Sequence, residues 1–264
     1  MMFIQAQLER RPLISVTLVV VLSVSLLFLI KWAGFYDGEA FNWPRLLVQN
    51  TVSLALIFLL YRLGWGAQSG LTSAINRWHR WWFLAMLPML LLGLLNITGV
   101  PWEVLQFRVD FFCGWLLANF STGLFEEVLM RGFAFYVLYR AWGDSKSGLY
   151  AAAITQALIF GVAHFVNLYQ MPFLDVTAQV VYATLLGFGF AGLVYFTGSI
   201  WPAVIIHFFI NSIGTIDEYF DPSYRVEDFS GPGLAGYLVA ITIILVISTM
   251  PGAWFLNKAH ARIA

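Results

Sequence analysis

The stretch Phe125-Glu126-Glu127-Val128-Leu129-Met130-Arg131 decides how the chain must be organised, because it places three ionisable side chains inside a long apolar run. A charge near the bilayer centre costs about 3 kcal/mol on insertion scales, so such side chains face a bundle interior or a water-filled cavity. Glu127 and Arg131 are four residues apart, with the acid first, the better order for an ion pair on one helical face. Glu126 points about 100° away. The stretch therefore predicts an ion pair and a separate, free carboxylate, although both carboxylates binding Arg131 is an open alternative.

The overall composition is that of an all-α polytopic membrane protein. Hydrophobic residues make up 60% of the 264 residues and charged residues only 11%, against roughly 25% charged residues in soluble domains. The 14 basic and 14 acidic residues balance, so nothing indicates nucleic-acid binding. The single cysteine, Cys113, excludes an internal disulfide, and its apolar surroundings predict a small buried hydrophobe.

Eight apolar runs predict about eight transmembrane helices in one transmembrane domain, residues 1–264. The first run follows Arg10 and Arg11 and has no small-residue cleavage site after it, so it is predicted to be a retained span and not a signal peptide. The runs cover approximately 13–30, 46–61, 81–98, 111–139, 149–169, 176–197, 200–216 and 234–256.

The basic residues outside these spans predict that the N- and C-termini are both cytoplasmic. With the N-terminus inside, nine lysines and arginines lie on the cytoplasmic side and four lie outside. The nine are Arg10, Arg11, Arg62, Arg77, Arg80, Arg140, Lys146, Lys258 and Arg262, and the four are Lys31, Arg45, Arg108 and Arg225.

The fifth run contributes Phe160 and His164, four residues apart. Glu126 lies 18 residues before Asp144, in the turn between the fourth and fifth runs, and His164 lies 20 residues after it. In an antiparallel helical hairpin the two side chains therefore fall at similar depth and can meet. Phe160, one turn back on the same face, is predicted to pack against the imidazole and fix it.

The seventh run contributes His207 and Asn211, which share one face of a helix. These residues complete a set of two imidazoles, a carboxylate and an amide from three spans, which is how helix bundles build core sites. His207 follows Gly198 by only nine residues. It should therefore lie shallower than Glu126, unless that turn dips into the membrane or the fourth and fifth helices extend beyond it.

This set of side chains fits peptide-bond hydrolysis without a covalent intermediate. Glu126 with His164 can hold and deprotonate a water, and His207 with Asn211 can donate hydrogen bonds to a developing oxyanion. Glu126, His164 and His207 would also make a zinc ligand set with an open position. Because there is no His-Glu-x-x-His helix, we leave the metal open and expect an activity largely independent of bound zinc.

The three motifs resemble those of the CPBP family of CAAX proteases and bacteriocin-processing enzymes, also called ABI, which includes the type II CAAX prenyl endopeptidase. They are Glu126-Glu127-x-x-x-Arg131, Phe160-x-x-x-His164 and His207-x-x-x-Asn211, within a core of about 111–216. The resemblance implies an intramembrane endopeptidase with Glu126 as base, His164 as its partner, and His207 with Asn211 supporting the water or oxyanion. Glu127, Arg131 and Phe160 would then be structural supports.

The resemblance leaves alternatives open. Members of the family also serve as bacteriocin-immunity proteins or scaffolds, and an ion or proton transporter could use the same Glu and His side chains. For the protease we expect a membrane-associated peptide or protein substrate, no nucleic acid, and a place in the lipid bilayer of a bacterial inner membrane. Peptide pheromones, bacteriocin leaders and membrane-protein segments are the expected substrates.

One further pattern has a structural interpretation. Gly187-Phe188-Gly189-Phe190-Ala191-Gly192 fits a dinucleotide-binding pattern, but it lies inside an apolar run with no preceding strand. Close helix packing through small residues is the better prediction.

Overall fold

The computed structural model describes residues 2–34, 42–224 and 231–260. Arg225 and Arg262, which entered the orientation argument, lie outside these ranges. Each of the eight predicted runs corresponds to a helix or to a helix with a short continuation. The α-helices are α1 Met2–Arg10, α2 Pro12–Trp32, α3 Trp43–Arg62, α4 Trp82–Asn96, α5 Val109–Glu127, α6 Tyr136–Trp142, α7 Lys146–Ala163, α8 Phe173–Thr197, α9 Trp201–Gly214, α10 Ile216–Phe220, α11 Gly233–Ile244 and α12 Met250–His260.

Shorter helical segments extend several of these elements. Within the residues that the structure describes, three 3₁₀ turns occupy Ile75–Arg77, Ile97–Gly99 and His164–Tyr169. Two π-helical segments, Val128–Phe135 and Leu245–Thr249, join α5 to α6 and α11 to α12 without a break.

Six helical stretches of the described chain are long and apolar enough to cross a membrane. They are Pro12–Ile30, Trp43–Arg62, Trp82–Gly99, Lys146–Tyr169, Phe173–Thr197 and Gly233–His260. Of the other two predicted spans, α9 is apolar but only 14 residues long, and the run from α5 through α6 contains the charged stretch. The protein is thus an integral membrane protein of many helices, and the count of eight spans and the cytoplasmic termini remain predictions.

Hydrogen bonds and an ion pair show which loops lie together at each end of the helical bundle. At one end, which we call the basic end, Arg140 pairs with Glu9 at 3.1 Å, and the backbone N–H of Ile200 donates to the carbonyl of Gly70 at 3.2 Å. This end holds α1 and residues 63–81, 143–145 and 198–200. At the opposite end the N–H of Gln106 donates to the carbonyl of Phe220 at 2.7 Å.

The turn that precedes α9 is buried beneath the segment 63–81. Ser199 and Ile200 are fully buried, and a Cβ built on Gly70 would lie 2.9 Å from the Cα of Ser199. The indole N–H of Trp201 donates to the carbonyl of Leu71 at 3.0 Å. Because residues 63–81 cover this turn, α9 starts inside the protein, and His207 reaches the depth of the glutamates. The prediction of a shallow His207 is wrong, because His207 contacts both glutamates; the turn before α9 is covered by residues 63–81, and α6 also continues to Trp142.

Small residues bring α8 close to the last helical stretch. A Cβ on Gly192 would lie 2.3 Å from the carbonyl oxygen of Gly252, and one on Gly189 would lie 2.1 Å from Oγ of Ser248. Gly187 lies in the same way against Ala157 of α7, with 3.2 Å to its Cα. The prediction of close helix packing, rather than nucleotide binding, is confirmed for these glycines.

Cys113 is exposed on α5, so the prediction of a buried cysteine is wrong. Apolar side chains of a membrane helix pack as well against lipid as against other helices. An apolar sequence context therefore does not show whether a residue is buried in the protein or exposed to lipid.

Candidate active site

Glu127 and Arg131 form a fully buried ion pair. Oε1 of Glu127 accepts a hydrogen bond from Nη1 of Arg131 at 2.8 Å, and both side chains are 0% exposed. The guanidinium also lies over the rings of Phe160, at 4.8 Å, and Phe190, at 5.1 Å. Cation–π contacts of this kind strengthen when water is excluded, so the aromatic rings stabilise the cation together with the carboxylate.

The helix leaves regular α geometry directly after the two glutamates. Residues Val128–Phe135 are π-helical, and all eight are buried. π-helical segments are rare and occur frequently at functional sites. A continuous α-helix was predicted over 111–139, and the apolar periodicity of that run contains no signal for the change.

His207 connects the two glutamates. Its Nδ1 lies 2.8 Å from Oε1 of Glu127, and its Nε2 lies 3.5 Å from Oε2 of Glu126. The side chain of His207 is 13% exposed and that of Glu126 is 22% exposed, whereas Glu127 is completely buried. Of the two neighbouring carboxylates, Glu126 is the accessible one.

A glycine allows α5 and α9 to approach closely enough for this contact. A Cβ on Gly123 would lie 3.2 Å from the backbone nitrogen of Phe208 and 3.5 Å from the carbonyl oxygen of Val204. A larger residue at this position would push α9, and His207 with it, away from the glutamates.

The protons on His207 follow from its partners. An ionised carboxylate only accepts hydrogen bonds, so the contact with Glu127 places a proton on Nδ1. Nε2 then faces the second carboxylate at a distance at the upper limit of a hydrogen bond. That arrangement needs a proton on Nε2 or on Glu126, or a water between them. The site can therefore hold either a mobile proton or a water beside Glu126.

His164 lies next to this cluster, with Phe160 between the imidazole and Arg131. Its Nδ1 donates to the backbone carbonyl of Phe160 at 2.8 Å, and the two rings meet edge to face at 4.8 Å and 87°. With the proton on Nδ1, the Nε2 of a neutral imidazole is a hydrogen-bond acceptor. No hydrogen bond or ion pair joins His164 to Glu126 among the described residues, and the pairing of these two residues stays a prediction.

Asn211 lies one helical turn beyond His207 on α9. Its backbone carbonyl accepts hydrogen bonds from the N–H of Thr215 at 3.0 Å and the Oγ1 of Thr215 at 2.9 Å. Its half-buried side-chain amide has no hydrogen-bond partner within the described part of the chain. That amide is free to donate to a ligand.

The side chains do not converge as metal ligands would. Within residues 2–34, 42–224 and 231–260, no three His, Cys, Asp or Glu side chains lie close enough together to hold a metal ion. Glu126 and His207 approach each other, but His164 does not complete a set of three with them. We therefore derive no step through a metal.

Two residues of the site were not found from the sequence. Phe190 covers the guanidinium of Arg131, but one phenylalanine in an apolar run gives no signal of such a role. Gly123, three residues before Glu126, was a detectable signal, since a glycine inside a helix often marks a close approach of another backbone.

The fold and the site define a class of membrane-embedded protein with a buried Glu-Arg-His cluster in a helical bundle. Residues 107–213 match the family model described as type II CAAX prenyl endopeptidase Rce1-like. This match agrees with the resemblance of the three motifs to the CPBP family of CAAX proteases. The matched segment is about two fifths of the chain and contains all the site residues named above. No curated protein and no solved structure matches the chain.

Proposed function

We propose that the protein is an intramembrane endopeptidase that hydrolyses a peptide bond with a water activated by Glu126 and His164. The observation that carries the proposal is the arrangement of Glu126 and His207, 3.5 Å apart, in the segment that matches a family of endopeptidases. Glu126 is the partly accessible carboxylate of the cluster, so a substrate and a water can reach it.

Each residue then has a chemical role. Glu126, with the Nε2 of His164 as a second acceptor, takes a proton from the water, and the resulting hydroxide attacks the carbonyl carbon. The Nε2–H of a protonated His207 and the amide of Asn211 donate hydrogen bonds to the oxyanion. The C–N bond then breaks, and the proton held by Glu126 passes to the leaving amine. No covalent intermediate with the enzyme is needed.

Glu127, Arg131 and Phe160 position these groups without reacting. Glu127 fixes the Nδ1 of His207, which leaves Nε2 directed toward Glu126 or toward an oxyanion. Arg131 balances the charge of Glu127, and Phe160 holds His164 through its ring and its carbonyl.

The test compares membrane peptides in cells that carry wild type, no copy, or Glu126→Gln. Cells without the gene and cells with Glu126→Gln should accumulate the same uncleaved membrane-associated peptide or protein. This comparison also identifies the substrate. With that substrate, purified Glu126→Gln and His164→Ala should cleave about 10²- to 10⁴-fold more slowly than wild type, the usual contribution of a general base.

Two matched variants control for side effects of the substitutions. Glu103→Gln and His260→Ala change the same residue types outside the cluster and should cleave at the wild-type rate. Wild-type rates for both Glu126→Gln and His164→Ala would contradict the proposal. A cellular phenotype that survives both substitutions would instead indicate a non-catalytic immunity or scaffold protein, and substrate-dependent flux in proteoliposomes would indicate a transporter.

A further inference from the structure

Two segments from distant parts of the sequence meet at the last turn of α8, at the basic end of the bundle. The backbone N–H of His79 donates to the carbonyl of Thr197 at 3.0 Å, and the rings of His79 and Phe196 have centroids 4.1 Å apart. Phe196 also contacts α12, with its ring centroid 6.0 Å from that of Trp254 and 4.9 Å from that of Phe255. The segment before α4 and helix α12 are therefore held against the same turn.

Both segments carry basic side chains without an acidic partner. Arg77 and Arg80 precede α4, Lys258 lies in the last turn of α12, and all three are exposed. None of the three forms an ion pair within the described part of the chain. The start of α4 adds partial positive charge, because the first N–H groups of a helix lack intrahelical acceptors. An anion at this surface would therefore meet uncompensated positive charge.

Tryptophan rings lie beside two of these cations. The guanidinium of Arg80 lies over the ring of Trp81 at 5.3 Å, and Nζ of Lys258 lies over the ring of Trp254 at 5.8 Å. Trp81 is 48% exposed and Trp254 is 52% exposed. Tryptophans of membrane proteins are enriched at the level of the lipid headgroups. The two cations are thus expected at the depth of the phosphate groups of the lipid.

Few acidic side chains oppose an anion at this end. Of the described residues there, two are acidic, Glu9 and Asp144, and Glu9 already pairs with Arg140 at 3.1 Å. A headgroup with a net negative charge gains from the remaining positive charge, whereas a zwitterionic headgroup gains little. Charge and depth together favour an anionic lipid over a soluble anion.

We propose that this surface, formed by Arg77, Arg80, Trp81, Trp254 and Lys258, binds the headgroups of anionic phospholipids in the adjacent leaflet. We call it the basic aromatic surface. A basic residue near an anionic leaflet strengthens binding about fivefold, so the three cations together select anionic over zwitterionic lipid. The inference does not depend on the proposed hydrolysis, because no residue of this surface belongs to the cluster around Glu126.

The test is the thermal unfolding of the purified full-length protein in a neutral detergent at constant ionic strength. The probes are phosphatidylglycerol and phosphatidylcholine with the same acyl chains, and inorganic phosphate. A lipid that binds the native protein raises its Tm. Phosphatidylglycerol should raise the Tm saturably, with half of the effect at a mole fraction at least about fivefold lower than for phosphatidylcholine. Inorganic phosphate should not reproduce this shift.

Two double variants locate the binding. Arg80→Gln with Lys258→Gln should raise the half-maximal mole fraction of phosphatidylglycerol by at least about fivefold and should leave that of phosphatidylcholine unchanged. Arg45→Gln with Arg108→Gln removes the same charge from exposed positions at the opposite end and should leave the preference intact. Arg80→Lys with Lys258→Arg keeps the charge and should also retain the preference.

Several outcomes would overturn the proposal. These are equal half-maximal mole fractions for the two lipids, a preference that survives Arg80→Gln with Lys258→Gln, and an equal loss in Arg45→Gln with Arg108→Gln. A shift with inorganic phosphate as large as that with phosphatidylglycerol would show a site for a soluble anion and would exclude lipid as the specific ligand. The preference should persist in Glu126→Gln, so failure of the proposed hydrolysis and failure of lipid binding are distinguishable.

Discussion

Adjacent glutamates have opposite surroundings in this site. Glu127 is fully buried, and its Oε1 accepts from both Arg131 and His207, while its Oε2 has no partner within the described chain. Glu126 keeps part of its surface accessible and faces Nε2 of His207. Glu127 therefore neutralises Arg131 and orients His207, and Glu126 is the carboxylate proposed to act on the water.

At the residue scale we predict strong coupling within the buried pair. Arg131→Met leaves the buried carboxylate of Glu127 with His207 as its one remaining partner among the described residues and should lower the free energy of unfolding by about 3–5 kcal/mol. Glu127→Gln should also destabilise the protein, because it leaves the buried guanidinium without a counter-charge and replaces the carboxylate that contacts His207. The free energy of unfolding of the double variant should fall by less than the sum of the decreases in the two single variants. The difference should be about 0.5–3 kcal/mol. The measurement is a double-mutant cycle of reversible unfolding in detergent micelles.

An exposed pair provides the control for this cycle. Arg108 and Asp110 are 2.6 Å apart, but their side chains are about 60% exposed. Arg108→Met should therefore lower the free energy of unfolding by at most about 1 kcal/mol. Additive losses for the Glu127 and Arg131 variants would show that the two side chains do not stabilise each other.

At the scale of single elements, close packing of α8 depends on positions where a side chain has no room. Gly192 lies against the backbone of Gly252 in α12, and Gly189 lies against Ser248 in the π-helical segment Leu245–Thr249. The π-helical segment Val128–Phe135 lies similarly within the core, packed on every side.

We predict that Gly192→Ala destabilises the protein by about 1–3 kcal/mol, the usual cost of overpacking. The new Cβ would lie 2.3 Å from the carbonyl oxygen of Gly252, so α8 and α12 must separate. Gly99→Ala is the matched control, since a Cβ there has nothing within 4 Å. Thermal unfolding in detergent should show a lower Tm for Gly192→Ala alone, and equal values for the two variants would contradict the packing argument.

At the scale of the whole molecule, the helices place loops at two ends, and the basic residues distinguish these ends. The basic end holds the Arg140–Glu9 pair and the loop 63–81 over the turn 198–200. Loops rich in lysine and arginine remain on the cytoplasmic side. The basic end is therefore expected to face the cytoplasm.

We predict the corresponding labelling pattern for single cysteines in a Cys113→Ser background. Asp144→Cys, at the basic end, should react with a membrane-impermeant maleimide only after the cells are permeabilised. Glu103→Cys, at the opposite end, should react in intact cells. The reverse pattern would place both termini outside and would contradict the orientation inferred from the charges.

The sequence by itself determined the features that depend on local spacing. Apolar runs identified every long helix of the described residues, because a helix that crosses a bilayer needs about 20 predominantly apolar residues. The spacing of Glu127 and Arg131 predicted an ion pair that is present at 2.8 Å, since residues four apart are neighbours on any helix.

Only the tertiary structure decided which helices meet and where. Gly123 lets α9 approach α5, and the loop 63–81 buries the turn before α9, so His207 contacts both glutamates although its distance from Gly198 predicted a shallower position. The π-helical segment Val128–Phe135, all of it buried, likewise has no signal in the apolar pattern. The physical reason is that spacing fixes directions along one helix, whereas depth and contact between helices depend on how close their backbones can come.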